Sequence, residues 1–297
     1  MIGIQQFKKD PLYLFKNNLL RIGLFFSFNI FLWNWFETTE VQLAIYALPI
    51  LLLSTAGTLP TAAGLIIGFA THWYQFGFFS LDLFFIAAGL LLTFPVTGLY
   101  HSCSHLSLRP RWLNRFFGEI TGLWHNSSLD EWSIIHAYHH RYADDNENDP
   151  HPPNGQAFFR YISGMGKAIG RSFGKHYLAE HGTGPQQTND LKRLSRSILV
   201  RQITVSLFWF LLLGPQAFVF FYATNIVFKK WHYAWFNWAT HVKEGSEVKI
   251  LNQKNGLYKV VNFLSFNLYY HENHHLRPGL FNPKSLKNSQ TETTRVA

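Results

Sequence analysis

The chain has 297 residues, a formal net charge of +9 and a single cysteine, Cys103. Only 14% of the residues are charged while 18% are aromatic, and no Lys or Arg occurs in residues 22–108. One cysteine excludes an internal disulfide framework, and the long uncharged stretch argues against a water-soluble surface there. No aromatic-plus-basic recognition motif accompanies the positive charge. We therefore predict basic loops beside a lipid bilayer and no binding of nucleic acid.

Four apolar runs dominate the first third of the chain, at residues 19–36, 41–53, 62–70 and 81–100. The last run is about 20 residues long, and at ~1.5 Å per residue it would cross ~30 Å of hydrocarbon. Residues 101–201 contain no further span and are rich in Lys and Arg, which predicts a cytoplasmic location by the positive-inside rule. The basic N-terminus on the same side requires an even number of preceding spans. Four short spans, or two spans plus a re-entrant or interfacial segment, satisfy this requirement.

A second apolar stretch, residues 203–228, is interrupted by Gly214-Pro215, which predicts a helical hairpin of two spans. Residues 158–173 mix apolar and basic side chains, a pattern typical of an amphipathic helix on the membrane or of a surface helix in a soluble part. The predicted fold is an all-α polytopic membrane protein with four to six transmembrane helices and a histidine-rich cytoplasmic cap.

We expect a single domain over residues 1–297. It would divide into N-terminal spans (1–100), a cytoplasmic loop (101–201), the hairpin (202–230) and a cytoplasmic C-terminal region (231–297).

Three histidine clusters follow these apolar stretches. Two are triplets with the same spacing, and the third is a pair four residues apart. Residues three and four apart share one face of a helix, so each cluster presents its imidazoles to one side. The clusters consist of His101 and His105, then His136, His139 and His140, and finally His271, His274 and His275.

Eight imidazoles exceed the needs of one four-coordinate ion, so the clusters predict two metal ions. Imidazole ligands suit iron, copper, zinc or nickel rather than magnesium or calcium. Cys103 could in principle ligate, but two residues from His101 it points away from that face, which favours a small filler role. Each ligating ring also needs an acceptor for its other nitrogen. The candidate acceptors are Glu131, Asp144, Asp145, Asp149 and Glu272.

In this order, the three clusters resemble the three histidine boxes of the membrane fatty-acid desaturases, over roughly residues 81–283. The motifs Asp130-Glu131-Trp132 and Asp149-Pro150-His151 around the second box are similar to those of acyl-CoA desaturases of the stearoyl type. In that group an Asn-x-x-x-His motif supplies a ninth histidine ligand and an asparagine that holds a metal through water. Asn237 and His241 match this motif. The resemblance therefore implies two Fe²⁺ ions held by nine histidines, with Asn237 beside them.

The resemblance also implies an oxygen-dependent enzyme that inserts a double bond into a fatty acyl chain. No fused haem domain is visible, so electrons would come from a separate ferredoxin or small cytochrome, docked on a basic face that includes Arg109, Arg111 and Arg115. The first box is one residue shorter than in the stearoyl type, and the third box looks like that of acyl-lipid desaturases. The acyl carrier is therefore open between a lipid and CoA. The expected location is the inner (plasma) membrane of a bacterium or the endoplasmic reticulum of a eukaryote.

Two alternatives remain. A hydroxylase or carotenoid ketolase of the same superfamily would use the same histidines, although the 30 residues between His105 and His136 favour a desaturase over sterol-oxidase-like hydroxylases. A membrane metal transporter would place its ligands inside the spans. The apolar runs before residue 100 contain one acid, Asp82, at the edge of a span, which argues against transport.

Overall fold

The computed structural model describes residues 1–36 and 39–286, and most of these residues are helical. The helices are α1 (Ile4–Lys9), α2 (Tyr13–Trp35), α3 (Glu40–Leu53), α4 (Thr58–Phe76), α5 (Ser80–Ser104), α6 (Trp112–Trp124), α7 (Leu129–Tyr142), α8 (Phe158–His181), α9 (Pro185–Ala217), α10 (Thr224–Thr240), α11 (Tyr258–Leu264) and α12 (His271–Leu276). A π-helical segment, Phe218–Ala223, joins α9 to α10, and a 3₁₀ turn covers Pro283–Ser285.

The prediction of a helical protein is confirmed, but the all-α description is wrong at one place. Two short antiparallel strands, β1 (His241–Glu244) and β2 (Glu247–Ile250), form a hairpin directly after α10. Gly245 has a positive φ of 65° at the turn, a conformation that glycine adopts without strain. The hairpin ends α10 abruptly and so fixes His241 at the first position of β1.

Helices α2 to α5 coincide with the four apolar runs and alternate in direction. The N-terminal end of α2 contacts α7, where Asn18 Nδ2 donates a hydrogen bond to Glu131 at 2.7 Å. At the opposite end of the bundle, Asp82 at the start of α5 accepts hydrogen bonds from Trp73 at 3.1 Å and from Gln216 at 2.8 Å. The C-terminal end of α5 therefore returns to the side where α7 lies, and it carries the first histidines there.

The chain reverses direction at Gly214, where φ is 72° and ψ is 167° inside the stretch assigned to α9. The rings of Trp209 and Tyr222 lie 5.4 Å apart across this point, whereas thirteen residues of continuous helix would separate them by ~20 Å. The end of α9 and the segment that leads into α10 therefore form two legs of a hairpin, and α10 runs back toward the histidines.

Two helical stretches, Ser80–Ser104 and Pro185–Thr240, are long and apolar enough to cross a membrane. Helix α3 is apolar but has only 14 residues, about 21 Å at 1.5 Å per residue. Large apolar side chains are also exposed on α2, including Leu20 at 74% and Phe26 at 61%. Such exposure is costly in water and normal against lipid or a partner.

The amphipathic segment predicted at residues 158–173 lies within α8, but protein covers its apolar face. Phe158, Tyr161 and Met165 are buried in a cluster with Ala234 of α10. An exposed apolar stripe lies on α6 instead, at Trp112, Phe116 and Ile120. These residues are spaced four apart, so they share one face of the helix.

Helix α5 makes two backbone contacts so close that only glycine fits. A Cβ at Gly98 would lie 2.2 Å from the carbonyl oxygen of Ser265, and a Cβ at Gly89 would lie 2.5 Å from that of Phe221. Asn225 strengthens the second contact, since its Nδ2 donates to the carbonyl of Gly89 at 3.1 Å. The first contact draws the chain that precedes α12 against α5, and so brings the third histidine box to the first.

Candidate metal centre

Four elements converge at one end of the bundle and carry the predicted histidines. The last turn of α5 and its C-cap supply the first box, α7 the second and α12 the third, while His241 opens β1. Their ring nitrogens form two groups, and within each group one ligand atom per residue lies within 4.8 Å of every other.

From here on, the two groups of ring nitrogens are called the first and second clusters, and the three sequence motifs are called boxes. The first cluster contains His101, His105, His136 and His274. The Nε2 atoms of His101 and His136 are 3.0 Å apart. His140 completes this cluster, because its Nε2 lies 3.2 Å from that of His136 and 3.0 Å from that of His274. Five imidazole nitrogens therefore point into one small volume.

The second cluster contains His139, His241, His271 and His275. The Nε2 of His271 is 2.9 Å from that of His241 and 3.1 Å from that of His275. The ring centroid of His139 lies 5.0 Å from that of His241 and 5.2 Å from that of His275. His241, the histidine predicted in addition to the three boxes, thus lies among the histidines of the second cluster.

Each triplet divides between the two clusters in the same way. Its first and last histidines lie four residues apart and serve one cluster, while its middle histidine serves the other. The cause is helical geometry at ~100° per residue: the last histidine lies ~40° to one side of the first and the middle one ~60° to the other side. The second and third boxes exchange their middle histidines, so each cluster draws on both.

Three features of the clusters are compatible with bound metal ions. Neighbouring nitrogens are 2.9–3.2 Å apart, close to the ~3 Å expected between ligands at right angles around an ion ~2.1 Å away. The Nε2 atoms of His105 and His139 are buried without a hydrogen-bond partner among the described residues. Burial also lowers the pKa of His139 and of His271 well below the ordinary value, so these rings are neutral and their lone pairs are free to ligate.

Two carboxylates orient rings of the second cluster. Both oxygens of Asp149 lie 3.1 Å from Nδ1 of His139, and Asp144 Oδ2 lies 2.8 Å from Nδ1 of His241. Asp149 also accepts the backbone N–H groups of Asp144 at 2.8 Å and His151 at 2.9 Å. Asp144 is one of the few non-glycine residues with positive φ, at 66°. This loop therefore fixes which nitrogen of each ring faces the cluster.

The other predicted acceptors contact different partners, which corrects the prediction for Glu131, Asp145 and Glu272. Glu131 forms an ion pair with Arg201 at 2.8 Å. Asp145 is exposed and accepts backbone N–H groups of its own loop. Glu272 accepts a hydrogen bond from Asn252 at 2.8 Å. For Glu131 the reason is helical: it lies five residues before His136, ~140° around α7.

Three further residues lie near the clusters. Asn237 is buried, donates its Nδ2 to the carbonyl of Tyr233 at 2.9 Å, and leaves Oδ1 without a partner in the described chain. His151, which was not among the predicted site residues, packs 4.4 Å from the ring of His139, and its Nε2 forms a hydrogen bond with the hydroxyl of Tyr233 at 2.7 Å. Its one sequence signal is the Asp-Pro-His motif. Cys103 is fully buried beside Tyr100 and Leu129 in an apolar cluster.

An apolar cavity of about 100 Å³, here called the inner cavity, adjoins the first cluster. Its wall includes His101 together with Thr97, Trp132 and Phe236. Lys229 and Lys230 also line it, but their ammonium groups donate to the backbone carbonyls of His125 and Thr55, respectively. The inner cavity thus offers an apolar surface directly beside an imidazole cluster.

The described residues form a helical bundle that ends in two buried all-imidazole clusters, an arrangement compatible with a metal site. The family profile described as "Fatty acid desaturase" matches residues 81–281, and the chain belongs to that family. The resemblance seen in the histidine boxes is thereby confirmed. Among curated proteins, "Delta-9 acyl-lipid desaturase 1" of Arabidopsis thaliana is 30% identical over 127 residues, which is 38% of this chain and 39% of the relative. The alignment thus spans well under half of that relative. Solved structures give no significant match.

Proposed function

We propose that the chain is an oxygen-dependent di-iron desaturase that inserts a double bond into a fatty acyl chain carried by a lipid or by CoA. The observation that carries the proposal is the pair of buried all-imidazole clusters, the first of which adjoins an apolar cavity through His101. The Arabidopsis relative, an acyl-lipid desaturase by name, supports the reaction class.

The proposed ligands follow the two clusters. One iron would be held by the five histidines of the first cluster, and the other by the four of the second. The buried, unpartnered Oδ1 of Asn237 is available to hold a water beside them. Bound iron supplies one-electron chemistry with O₂ that no side chain can provide.

The chain's own side chains position the reactants. Asp149 and Asp144 hold the rings of His139 and His241 in the ligating orientation. The apolar wall of the inner cavity would seat methylene groups beside the first cluster and exclude water, so that the reacting carbons are held within reach of the site.

We further propose a multi-pass membrane protein with a cytoplasmic metal-bearing end, in the plasma membrane of a bacterium or the endoplasmic reticulum of a eukaryote. Helices α2 to α5 and the two helices of the α9–α10 hairpin provide six candidate membrane-crossing segments, of which the short α3 is the weakest. The four sequence divisions, 1–100, 101–201, 202–230 and 231–297, would follow this topology. An external ferredoxin or small cytochrome would dock on the basic face.

The exposure of the three arginines decides which of them best tests the proposed docking of this electron donor. Arg109 and Arg111 are exposed, whereas Arg115 forms an ion pair with buried Asp130 at 2.7 Å. Charge reversal at Arg109 and Arg111 is therefore the cleaner test. It should slow reduction by an acidic donor, and unchanged reduction kinetics would refute docking there.

The proposed function is tested by expression in a host whose membrane lipids lack the product, followed by lipid profiling and metal analysis. We expect new unsaturation and two irons per chain. His139→Ala and His274→Ala should abolish the product and lower the iron content. His72→Ala should do neither, because His72 bonds the hydroxyl of Tyr46 at 3.0 Å, away from the clusters.

Other outcomes would contradict the proposal. Hydroxylated or keto products would identify a hydroxylase or a carotenoid ketolase. Exchangeable zinc without oxygen consumption would indicate a metal transporter.

A further inference from the structure

A groove of about 400 Å³ runs along the outside of the bundle between α2, α6 and α9; we call it the lateral groove. Its floor is apolar, with Phe25, Leu123 and Val205 among the residues that line it. Leu24 and Ile120 form its rim and are each 50% exposed. An open apolar furrow on lipid-exposed helices suits a hydrocarbon chain.

The lateral groove meets the inner cavity at one residue. Ser127, in the turn between α6 and α7, lines both. Its Oγ lies 2.7 Å from the hydroxyl of Tyr100, and Tyr100 directly precedes His101 of the first cluster. Two hydroxyl groups joined by a single hydrogen bond can separate when a side chain changes rotamer, so this contact is a barrier that side-chain rotation can open.

The polar end of the lateral groove is electrically balanced. Arg21 bonds Glu119 at 2.8 Å and Asp130 at 3.2 Å, and Arg115 bonds the same two acids at 2.9 and 2.7 Å. Two guanidinium groups thus face two carboxylates, and Arg201, which also lines the groove, forms an ion pair with Glu131 at 2.8 Å. A balanced mouth suits a head group of no net charge and gives no excess positive charge to hold the multiply phosphorylated CoA.

We propose that the lateral groove admits an acyl chain of an intact membrane glycerolipid of no net charge. The acyl chain of the lipid passes sideways from the bilayer, between Tyr100 and Ser127, into the inner cavity beside His101. The head group stays at the membrane surface near Arg21 and Arg115. This inference rests on the proposed function and assigns its substrate class as an acyl-lipid.

The test uses the iron-loaded protein in phosphatidylcholine nanodiscs without a reductant. The probe is a phosphatidylcholine with a photoactivatable diazirine in the middle of one acyl chain. Covalent labelling of Trp132 and Phe236, which line the inner cavity, is read by peptide mass spectrometry. Labelling needs no turnover, so its outcome is independent of whether the lipid product is a desaturated chain.

The matched variants lie on one helix. Leu24→Trp fills the rim of the lateral groove. Ile30→Trp changes an equally exposed position of α2, at 52% against 50%, which faces a separate groove between α2 and α9. Leu123→Trp obstructs the lateral groove from α6, so the result does not depend on one substitution. The iron content of each variant checks that it is folded.

We expect Leu24→Trp and Leu123→Trp to reduce inner-cavity labelling by about tenfold or more, equivalent to about 1.4 kcal/mol of lost binding. Ile30→Trp should leave the labelling unchanged. Equal labelling in all four proteins would overturn the proposed route. Labelling of the inner cavity by a diazirine acyl-CoA, but not by the phosphatidylcholine probe, would overturn the substrate class. Groove-dependent labelling, combined with no new unsaturation when the lipids of the expression host are profiled, would instead refute the desaturase function while leaving the route intact.

Discussion

Replacing Asp149 by Asn should weaken iron binding at the second cluster while leaving the fold in place. Asp149 accepts three N–H groups with its two oxygens, from the ring of His139 and from the backbones of Asp144 and His151. An amide has one acceptor oxygen, and its NH₂ group would meet an N–H donor. Loss of such a carboxylate behind a ligating histidine typically costs 10–100-fold in metal affinity, or about 1.4–2.7 kcal/mol.

The assay is competition for iron between the protein and a chelator, read as metal retained per chain, with lipid product measured in parallel. Asp145→Asn is the matched control: it is the same substitution in the same loop, but Asp145 is exposed and bonds only its neighbours in the loop, such as Glu147 and Asn148. We expect the Asp145 variant to retain iron like the wild type. Equal iron affinity in the two variants would show that the contact between Asp149 and His139 does not support a metal ligand.

Two further predictions concern stability. Gly98→Ala should destabilise the fold by about 1–3 kcal/mol, because its Cβ would lie 2.2 Å from the carbonyl oxygen of Ser265; Gly23→Ala, with open space around it, is the control in thermal unfolding, and a similar melting temperature for both would refute the close contact. Asp130→Asn should destabilise the protein at pH 7 and progressively less on acidification. Burial alone would raise the pKa of Asp130, but hydrogen bonding and charge from Arg115 outweigh burial and lower it. The stability that ionised Asp130 contributes is therefore complete above the ordinary aspartate pKa of about 3.9. It is lost as the pH falls through the lower pKa that Asp130 has in the folded protein. A difference in melting temperature that stayed constant from pH 7 to pH 3 would contradict this reasoning.

The grouping of the histidines on helix faces and the positions of the helix breaks could be predicted from the sequence, because both depend on local chemistry. Spacings of three and four residues define a helix face wherever the helix lies, and Gly214-Pro215 interrupts a helix in any context. The division of each triplet between two clusters follows from the same angles. It needed only the knowledge that a second set of rings lies opposite, which the structure supplied.

The carboxylates that accept hydrogen bonds from the histidine rings could be predicted less well, because their positions depend on the path of a loop. Asp144 reaches His241 through a left-handed backbone conformation and across 97 residues of sequence, and neither feature leaves a pattern in the chain. Asp145, its neighbour, points away. Proximity to a box was a poor guide for Glu131, whose position around α7 faces Arg201.

The exchange of middle histidines between α7 and α12 makes the two halves of the metal centre interdependent. An ion in either cluster would tie both helices together and so would arrange ligands for the other ion before it arrives. Filling should therefore be cooperative, with few molecules holding one ion at partial saturation. Damage to one cluster should lower occupancy of both. The centre would behave as a single unit in assembly, even though its nitrogens form two separate groups.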